Sequence, residues 1–317
     1  ADAFYVAFRI PSLLRELFAE GSMSAAFIPV FTEYYAQKSK REAWELASAA
    51  FTTLLTVVTL VTLAGIAAAP WLVQLLAPGF HGSPDKIALT TLLARVMFPY
   101  LLFISLAAIA MGILNSLRAF AVPAYAALFL NIFIIGCAWF LSPLLEEPII
   151  GVAIGVVAGG AAQFAMQLPS LKMRGLLFGF RFEPGHPGVR RIAQLMVPSL
   201  LGMSVTQVNL TVSTILASFI AGAPTYLFYG MRLIQFPLGI FGVALAMAIL
   251  PTLSAQASRG AMQELRTTLG FGLRMIVFIM FPAMLGLIFL RTPIVHLFFE
   301  HGTFTAHDTA ETAMAVL

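Results

Sequence analysis

Residues 225–251 read TYLFYGMRLIQFPLGIFGVALAMAILP, and this apolar stretch decides the class of fold. It is long enough to cross the roughly 30 Å hydrocarbon core of a bilayer as a helix, which takes about 20 residues. Its one charged residue is Arg232, and no acidic residue occurs between Glu183 and Glu264 to neutralise it. A charge in hydrocarbon costs at least about 2.5–3.5 kcal/mol, so it persists only beside water, a partner on another helix or an anionic ligand. The stretch therefore predicts a membrane helix that lines a polar cavity with a positive wall.

The composition of the whole chain points to a protein that crosses the bilayer several times. Of its 317 residues, 60% are hydrophobic and 10% are charged, whereas soluble domains carry about 25% charged residues. The apolar runs lack the alternating ten-residue pattern of outer-membrane strands, so the spans are predicted to be helices. The basic residues lie in short loops, where they indicate topology rather than nucleic-acid binding. We therefore predict an all-α polytopic membrane protein.

Nine apolar runs are predicted to form membrane helices. They cover residues 3–35, 44–76, 89–117, 122–141, 149–173, 192–220, 226–255 and 269–299, with a ninth run from about residue 309. The prolines expected to bend or break several helices are Pro11, Pro29, Pro70, Pro99, Pro237 and Pro282. Gly151, Gly155 and Gly159 recur at every fourth residue, which predicts a close contact between two helices. The chain has no initiator methionine and stops inside an apolar run, so we expect it to be an internal fragment of a longer protein.

Basic residues are concentrated in alternate loops. One set of loops carries eleven of them, namely Lys38, Lys40, Arg41, Arg118, Lys172, Arg174, Arg181, Arg190, Arg191, Arg259 and Arg266. The opposite set offers only Lys86, at its edge. Because cytoplasmic loops are enriched in lysine and arginine, the first set is predicted to be cytoplasmic and residue 1 to lie on the outer side.

An internal repeat with an offset of 223 residues (232 − 9) predicts the arrangement of the helices. Pairs at this offset are Arg9 and Arg232, Pro70 and Pro293, Gly79 and Gly302, and Asp85 and Asp308. The first predicted span then corresponds to the seventh, six helices later, and because six is even the two halves are parallel repeats. We therefore predict two parallel-repeat six-helix bundles, with the first helix and the C-terminal helices missing from this chain. The N-terminal lobe is placed at residues 1–180, a cytoplasmic connector at 181–190 and a truncated C-terminal lobe at 191–317.

Four charged residues of the first span share one helical face. Asp2, Arg9, Glu16 and Glu20 are spaced by 7, 7 and 4 residues, which stacks them within about 40° around a helix. They form either a hydrated stripe that lines a cavity or a self-neutralising ladder against neighbouring helices. For Arg9 the ladder is favoured, because acids flank it at helical reach. Arg15 falls about 100° from this face, and it is either a free positive charge or a surface arginine that reaches toward the headgroups.

Arg232 is the strongest single candidate for a ligand-binding residue. We favour a position in which Arg232 faces a ligand, because charges inside membrane spans are functional by default. The alternative is a structural ion pair between Arg232 and a distant acid such as Asp2. Gln235, one turn on, is either a further hydrogen-bonding group for the ligand or a helix-packing polar group. The sequence contains no nucleophile elbow, phosphate loop, paired catalytic carboxylates or zinc motif. No catalytic residue, cofactor or metal site is therefore predicted.

Four stretches carry a resemblance to a known family. They are DAFYVAFRIPSLLRELFAEG at residues 2–21, GILNSLR at 112–118 with AVP at 121–123, RLIQFPLG at 232–239 and LFFEHGTFT at 297–305. In order and spacing, over essentially the whole chain, they resemble the MurJ (MviN) lipid II flippases of the multidrug/oligosaccharidyl-lipid/polysaccharide exporter superfamily. The resemblance implies a multi-pass protein of the bacterial inner membrane, with fourteen helices in two six-helix lobes and two extra C-terminal helices.

The resemblance also implies a function and a set of site residues. The expected activity is to move the undecaprenyl-pyrophosphate-linked peptidoglycan precursor, lipid II, across the inner membrane by alternating access, through a cationic central cavity. The family's cavity residues fall on Arg15 and Arg232, with the associated acid on Asp2. The expected partners are the lipid-linked substrate, membrane lipids and a monovalent cation for coupling.

Two alternative functions stay open. One is an exporter of another polyprenyl-pyrophosphate-linked oligosaccharide, for which a cationic cavity would serve equally well. The other is a membrane enzyme that acts on polyprenyl phosphates. Such an enzyme would need a catalytic carboxylate or a histidine cluster in a loop, and none is visible in the sequence, so we expect a transporter rather than an enzyme.

Overall fold

The computed structural model describes residues 1–16, 22–176 and 179–316, which fold into α-helices joined by short turns. In chain order the α-helices are α1 (Asp2–Arg15), α2 (Ser22–Gln37), α3 (Lys40–Leu76), α4 (Pro84–Met97), α5 (Pro99–Ser116), α6 (Ala121–Gly136), α7 (Pro148–Ala165), α8 (Leu168–Met173), α9 (Pro187–Ser218), α10 (Ala223–Pro237), α11 (Ala244–Ser258), α12 (Met262–Phe299) and α13 (Ala306–Met314). A 3₁₀ turn covers Pro78–Gly82, and π-helical segments cover Cys137–Leu141 and Leu238–Val243.

Seven helical stretches within these described residues are long and apolar enough to cross a membrane. They are Lys40–Leu76, Pro84–Ser116, Ala121–Leu144, Pro148–Met173, Pro187–Ser218, Ala223–Leu250 and Met262–Phe299. A bilayer admits helices because all their backbone hydrogen bonds are made within the segment. The prediction of an all-α polytopic membrane protein is confirmed.

The observed helices follow the predicted spans, and the first and third of these spans are each divided between two helices. The run predicted at residues 3–35 contains α1 and α2, and residues 17–21 between them, which include the predicted ladder residue Glu20, lie outside the described part of the chain. The run predicted at residues 89–117 begins earlier, at Pro84, and is divided between α4 and α5 at Pro99. Pro99 lacks a backbone N–H, and it occupies the first turn of α5, where no such donor is needed. Of the prolines predicted to bend or break helices, Pro11, Pro29, Pro70 and Pro282 instead lie inside continuous α-helices.

The chain divides into two compact units, Ala1–Ile220 and Ala221–Leu317. Helix α9 belongs to the first unit because it packs against α2 and α3. At the start of α9, Arg191 forms an ion pair with Glu33 at 2.8 Å. Helix α9 also comes close to α3 at Gly188, where an added Cβ would lie 2.5 Å from a methyl carbon of Leu46. The connector between the two lobes was predicted at residues 181–190 from the repeat of the helices. The division into compact units depends on helix packing instead, so the predicted lobe boundary stays a prediction.

Small residues and a buried aromatic residue shape the first unit. Along α7, Gly155 and Gly159 let the helix approach α6 so closely that an added Cβ would lie 2.9 Å from the Cα atoms of Ile134 and Leu130. The predicted close contact at this glycine face is confirmed. Helix α5 is buried along most of its length, and Tyr100 in its first turn has no exposed surface. Since α1 packs against α4 and α5, this core positions the charged first helix.

In the second unit, α10 packs against α12 and α13, and α11 packs against α12. Stacked rings of Tyr229 and Phe299, with centroids 4.5 Å apart, join α10 to α12. An added Cβ on Gly230 would lie 3.0 Å from the carbonyl oxygen of Ala315, so α10 also packs closely on the residue that follows α13. Shifted back by the predicted offset of 223, α12 covers residues 39–76 (262 − 223 and 299 − 223), which are the bounds of α3 to within one residue. This agreement is expected if the two halves of the chain repeat one another. The arrangement in two six-helix bundles stays a prediction.

Candidate functional site

The apolar face of α1 leaves the charged residues of that helix on its other sides. Its buried residues recur at the spacing of one helical face, and they include Ala3, Val6, Ala7 and Ile10. This face packs in the first unit, where α1 lies against α4. By helical periodicity Asp2, Arg9 and Arg15 fall outside it, so each must find polar surroundings elsewhere.

Asp2, the first residue of α1, pairs with Lys86 in the first turn of α4. Lys86 Nζ lies 3.0 Å from Asp2 Oδ2, and the side chains of Lys86 and Asp2 are 31% and 12% exposed, respectively. The same ammonium lies 4.0 Å from the centre of the Phe80 ring, which adds a cation–π contact. The Asp2 carboxylate therefore has a cationic partner within the first unit, and the pair ties the start of α1 to the start of α4. A role for Asp2 at the substrate site stays a prediction.

Arg9 and Glu16 are connected through Gln207, a residue of α9. Arg9 Nη2 donates to Gln207 Oε1 at 2.9 Å, and Gln207 Nε2 donates to Glu16 Oε2. The amide is only 4% exposed, so it links a cation and an anion in a region shielded from solvent. The predicted ladder along α1 is thus joined by a residue of another helix. Sequence reasoning missed Gln207, although an amide within an apolar span is a signal of the kind that singled out Gln235.

Arg15 occupies the last turn of α1, where a positive charge interacts favourably with the helix C-terminus. It is half-buried, and its Nη1 donates to the hydroxyl of Tyr100 at 3.3 Å. Tyr100 was not a predicted site residue, because an aromatic residue in an apolar run is typical of a packed core. The structure thus places a buried phenol beside one of the two predicted cavity arginines.

Arg232 lies on the exposed side of α10 in the second unit. Its guanidinium carbon is 4.9 Å from the centre of the Phe228 ring, one turn earlier. Across the described part of the chain, no carboxylate forms an ion pair with Arg232. An exposed cation–π contact contributes about 0.5–1 kcal/mol, less than the 2.5–3.5 kcal/mol or more that a charge in hydrocarbon costs. The difference has to be met by water or by an anionic group, and Gln235, which is also exposed, lies on the next turn.

The start of α10 is tied to the start of α13. The Tyr226 hydroxyl donates to Asp308 Oδ1 at 2.5 Å, and the backbone N–H and hydroxyl of Thr305 donate to Asp308 Oδ2 at 2.7 and 2.8 Å. These bonds, that from Tyr226 foremost, hold the pKa of the Asp308 carboxyl below its usual value. Tyr226 and Asp308 thereby anchor the helix that carries Arg232, as Asp2 and Lys86 anchor α1 in the first unit.

Comparison with known proteins identifies the family. A family model described as "Lipid II flippase MurJ" matches residues 1–317. The chain belongs to the MurJ family. It is 42% identical, over 325 aligned residues, to the probable lipid II flippase MurJ of Vibrio cholerae, and 38% identical, over 320, to the lipid II flippase MurJ of Burkholderia cenocepacia. The alignments cover 100% and 99% of this chain but 62% of each relative, so the chain spans about three fifths of the length of these relatives.

A solved structure of the family has the same fold. The lipid II flippase MurJ in an inward closed conformation matches this chain with a TM-score of 0.84 and 29% sequence identity, over 99% of this chain and 64% of the other. With the seven apolar helices, the MurJ matches indicate a multi-pass protein of the bacterial inner membrane. MurJ proteins are flippases, which are transporters rather than enzymes. The predicted family and the predicted all-α polytopic fold are confirmed. The site residues stay predictions, namely Asp2, Arg9, Arg15, Arg232 and Gln235.

Proposed function

We propose that this chain works in a flippase that moves lipid II, the undecaprenyl-pyrophosphate-linked peptidoglycan precursor, across the inner membrane by alternating access. Membership of the MurJ family and the names of the relatives from V. cholerae and B. cenocepacia support this reaction. The observation that carries the chemistry is Arg232. It is an exposed charge in an apolar helix, and no carboxylate of the described residues pairs with it.

The head group of lipid II gives a reason for such a charge to be kept. A pyrophosphate that carries sugars and a peptide needs polar, cationic surroundings to pass the membrane, while its polyprenyl tail can stay among the lipid chains. A guanidinium group suits this task because it is always charged and donates two parallel hydrogen bonds to phosphate oxygens. Arg15 in the first unit and Arg232 in the second are the proposed phosphate ligands. Gln235 is proposed as a further hydrogen-bond donor.

Asp2 and Arg9 are proposed to act by exchanging the partners that they have in this structure. Lys86 engages Asp2, and Gln207 engages Arg9. A conformational change that separates either pair would leave a charge in need of a new partner. Exchange of these contacts is therefore a proposed part of the transport cycle, and a monovalent cation remains the proposed coupling ion.

The replacement Arg232→Gln in the natural gene tests the proposal. R232Q removes the charge but keeps a hydrogen-bonding side chain, and we expect growth to fail when the native copy is depleted. The matched control is Arg259→Gln, which removes one positive charge from an exposed position just after α11 and should support growth. Immunoblots of the membrane fraction would establish equal amounts of the two variants. Lipid II that is accessible at the outer leaflet should fall only in R232Q.

Two results would contradict the proposal in different ways. Normal growth and normal lipid II exposure with R232Q would remove Arg232 from the substrate site. Failed growth with unchanged lipid II exposure would instead favour another polyprenyl-pyrophosphate-linked oligosaccharide as the transported molecule.

A further inference from the structure

The Tyr100 hydroxyl links the end of the charged helix to the core of the first unit. Arg15 Nη1 donates to Tyr100 Oη at 3.3 Å, and the two residues are 85 positions apart in the sequence. Arg15 lies in the last turn of α1, whereas Tyr100 lies in the first turn of α5. The orientation of this arginine is therefore coupled to a helix other than its own.

Helix packing encloses the Tyr100 ring. The side chain has no exposed surface, and its ring centroid lies 6.2 Å from that of Phe8. From α7, the backbone comes so close at Gly160 that an added Cβ would lie 2.6 Å from the ring atom Cδ2 of Tyr100. A tyrosine side chain has only two rotatable χ angles, so this packing holds the hydroxyl at one point. The hydroxyl is a rigid acceptor for the guanidinium.

We propose that Tyr100 is a positioning residue that aims the Arg15 guanidinium at the pyrophosphate of the substrate; this rests on the proposed function of Arg15. A phenol oxygen accepts an N–H of the guanidinium and carries no charge, so it directs the arginine without neutralising it. A carboxylate at the same place would offset the positive charge that binds phosphate.

An arginine that is oriented before the ligand arrives binds more tightly. A long side chain loses rotamer freedom when it is fixed on a ligand, and this loss is smaller if the protein already holds the side chain in place. The replacement Tyr100→Phe removes the hydroxyl but keeps the ring that fills the core. Its effect on the affinity for the pyrophosphate group should therefore exceed its effect on the stability of the fold.

The binding of undecaprenyl pyrophosphate to the purified natural protein in lipid nanodiscs tests this proposal. Y100F is expected to weaken binding about two- to tenfold, which corresponds to the cost of immobilising one long side chain on the ligand, with at most a small fall in melting temperature. The matched control is Tyr125→Phe, because Tyr125 in α6 is 63% exposed. Gly160→Ala, which would displace the Tyr100 ring, should also weaken binding. Gly202→Ala on α9, where nothing lies within 4 Å of an added Cβ, is the glycine control.

The variant Arg15→Gln separates this proposal from the proposed function. If Tyr100 acts through Arg15, Y100F should have no further effect on binding in the R15Q background. Unchanged binding in R15Q alone would refute Arg15 as a phosphate ligand. Weaker binding in R15Q, together with Y100F that binds like Y125F, would refute the positioning role alone. An equal loss from Y100F in both backgrounds, or a fall in melting temperature that accounts for the loss, would indicate a purely structural tyrosine and would also overturn the proposal.

Discussion

Replacing Gln207 by leucine would remove a buried link between α9 and α1 while nearly preserving side-chain volume. The Gln207 amide accepts a hydrogen bond from Arg9 and donates one to Glu16, and it is 4% exposed. Hydrogen bonds between membrane helices contribute about 0.6 kcal/mol on average and at most about 1.7 kcal/mol. The loss of two such bonds therefore predicts destabilisation by about 1–3 kcal/mol. The upper half of this range is expected, because leucine leaves two charged groups without this buried partner.

The assay is reversible unfolding of the purified natural protein in mixed micelles, followed by circular dichroism as the fraction of sodium dodecyl sulfate is raised. Asn209→Leu is the control, since Asn209 is an exposed amide two residues further along α9. Combining Q207L with Arg9→Met should cost less than the sum of the two single changes, because both remove the same hydrogen bond. If Q207L is as stable as N209L, or if the two changes are additive, Gln207 does not link Arg9 to α9.

Two further predictions concern the ends of helices. Gly79→Ala is expected to destabilise the first unit by about 1–3 kcal/mol, because the added Cβ would lie 2.2 Å from the carbonyl oxygen of Ser218. The control is Gly82→Ala, whose added Cβ has nothing within 4 Å and should leave the stability unchanged. Equal melting temperatures for the two variants would contradict this close approach. The Tyr226 hydroxyl holds the pKa of Asp308 low in the folded protein. The Asp308 carboxylate therefore stabilises the folded state at pH values above the unfolded aspartate pKa of about 3.9. This stabilisation is lost as the pH falls through the lower pKa of the folded state. Between pH 6 and pH 3 the melting temperature of Asp308→Asn should therefore fall less than that of the parent, and parallel curves would exclude the carboxylate as the cause.

Membrane helices were predicted well because bilayer burial is a property of a continuous run of residues. Hydropathy marks only the apolar part of each helix, however, and this explains the differences at the boundaries. Helix α3 begins at Lys40, four residues before the predicted start at residue 44, because the side chain of Ser39 accepts a hydrogen bond from the backbone N–H of Glu42 and caps the helix. Helix α12 likewise begins at Met262, before the apolar run predicted from residue 269.

The glycine face of α7 was also readable from the sequence, since its period of four is that of one side of a helix. Its partner was not readable, because a run of small residues indicates close packing without identifying the neighbouring helix. The structure supplies that partner as α6, through the backbone at Leu130 and Ile134. The same distinction between a local pattern and a distant partner applies to the charged residues of α1.

The amino-acid pattern alone was enough to show that this chain crosses a membrane as helices, that it belongs among the MurJ flippases, and that Arg232 is a charge without an acidic neighbour along the chain. The groups that meet the charged residues of α1 became known from the packing of the helices. Those partners are Lys86, Tyr100 and Gln207, which lie 84 to 198 positions away from the residues they contact. The physical reason is that hydropathy adds up along a continuous run of residues, whereas a hydrogen bond requires two groups about 3 Å apart. That proximity depends on how helices distant in the sequence pack together.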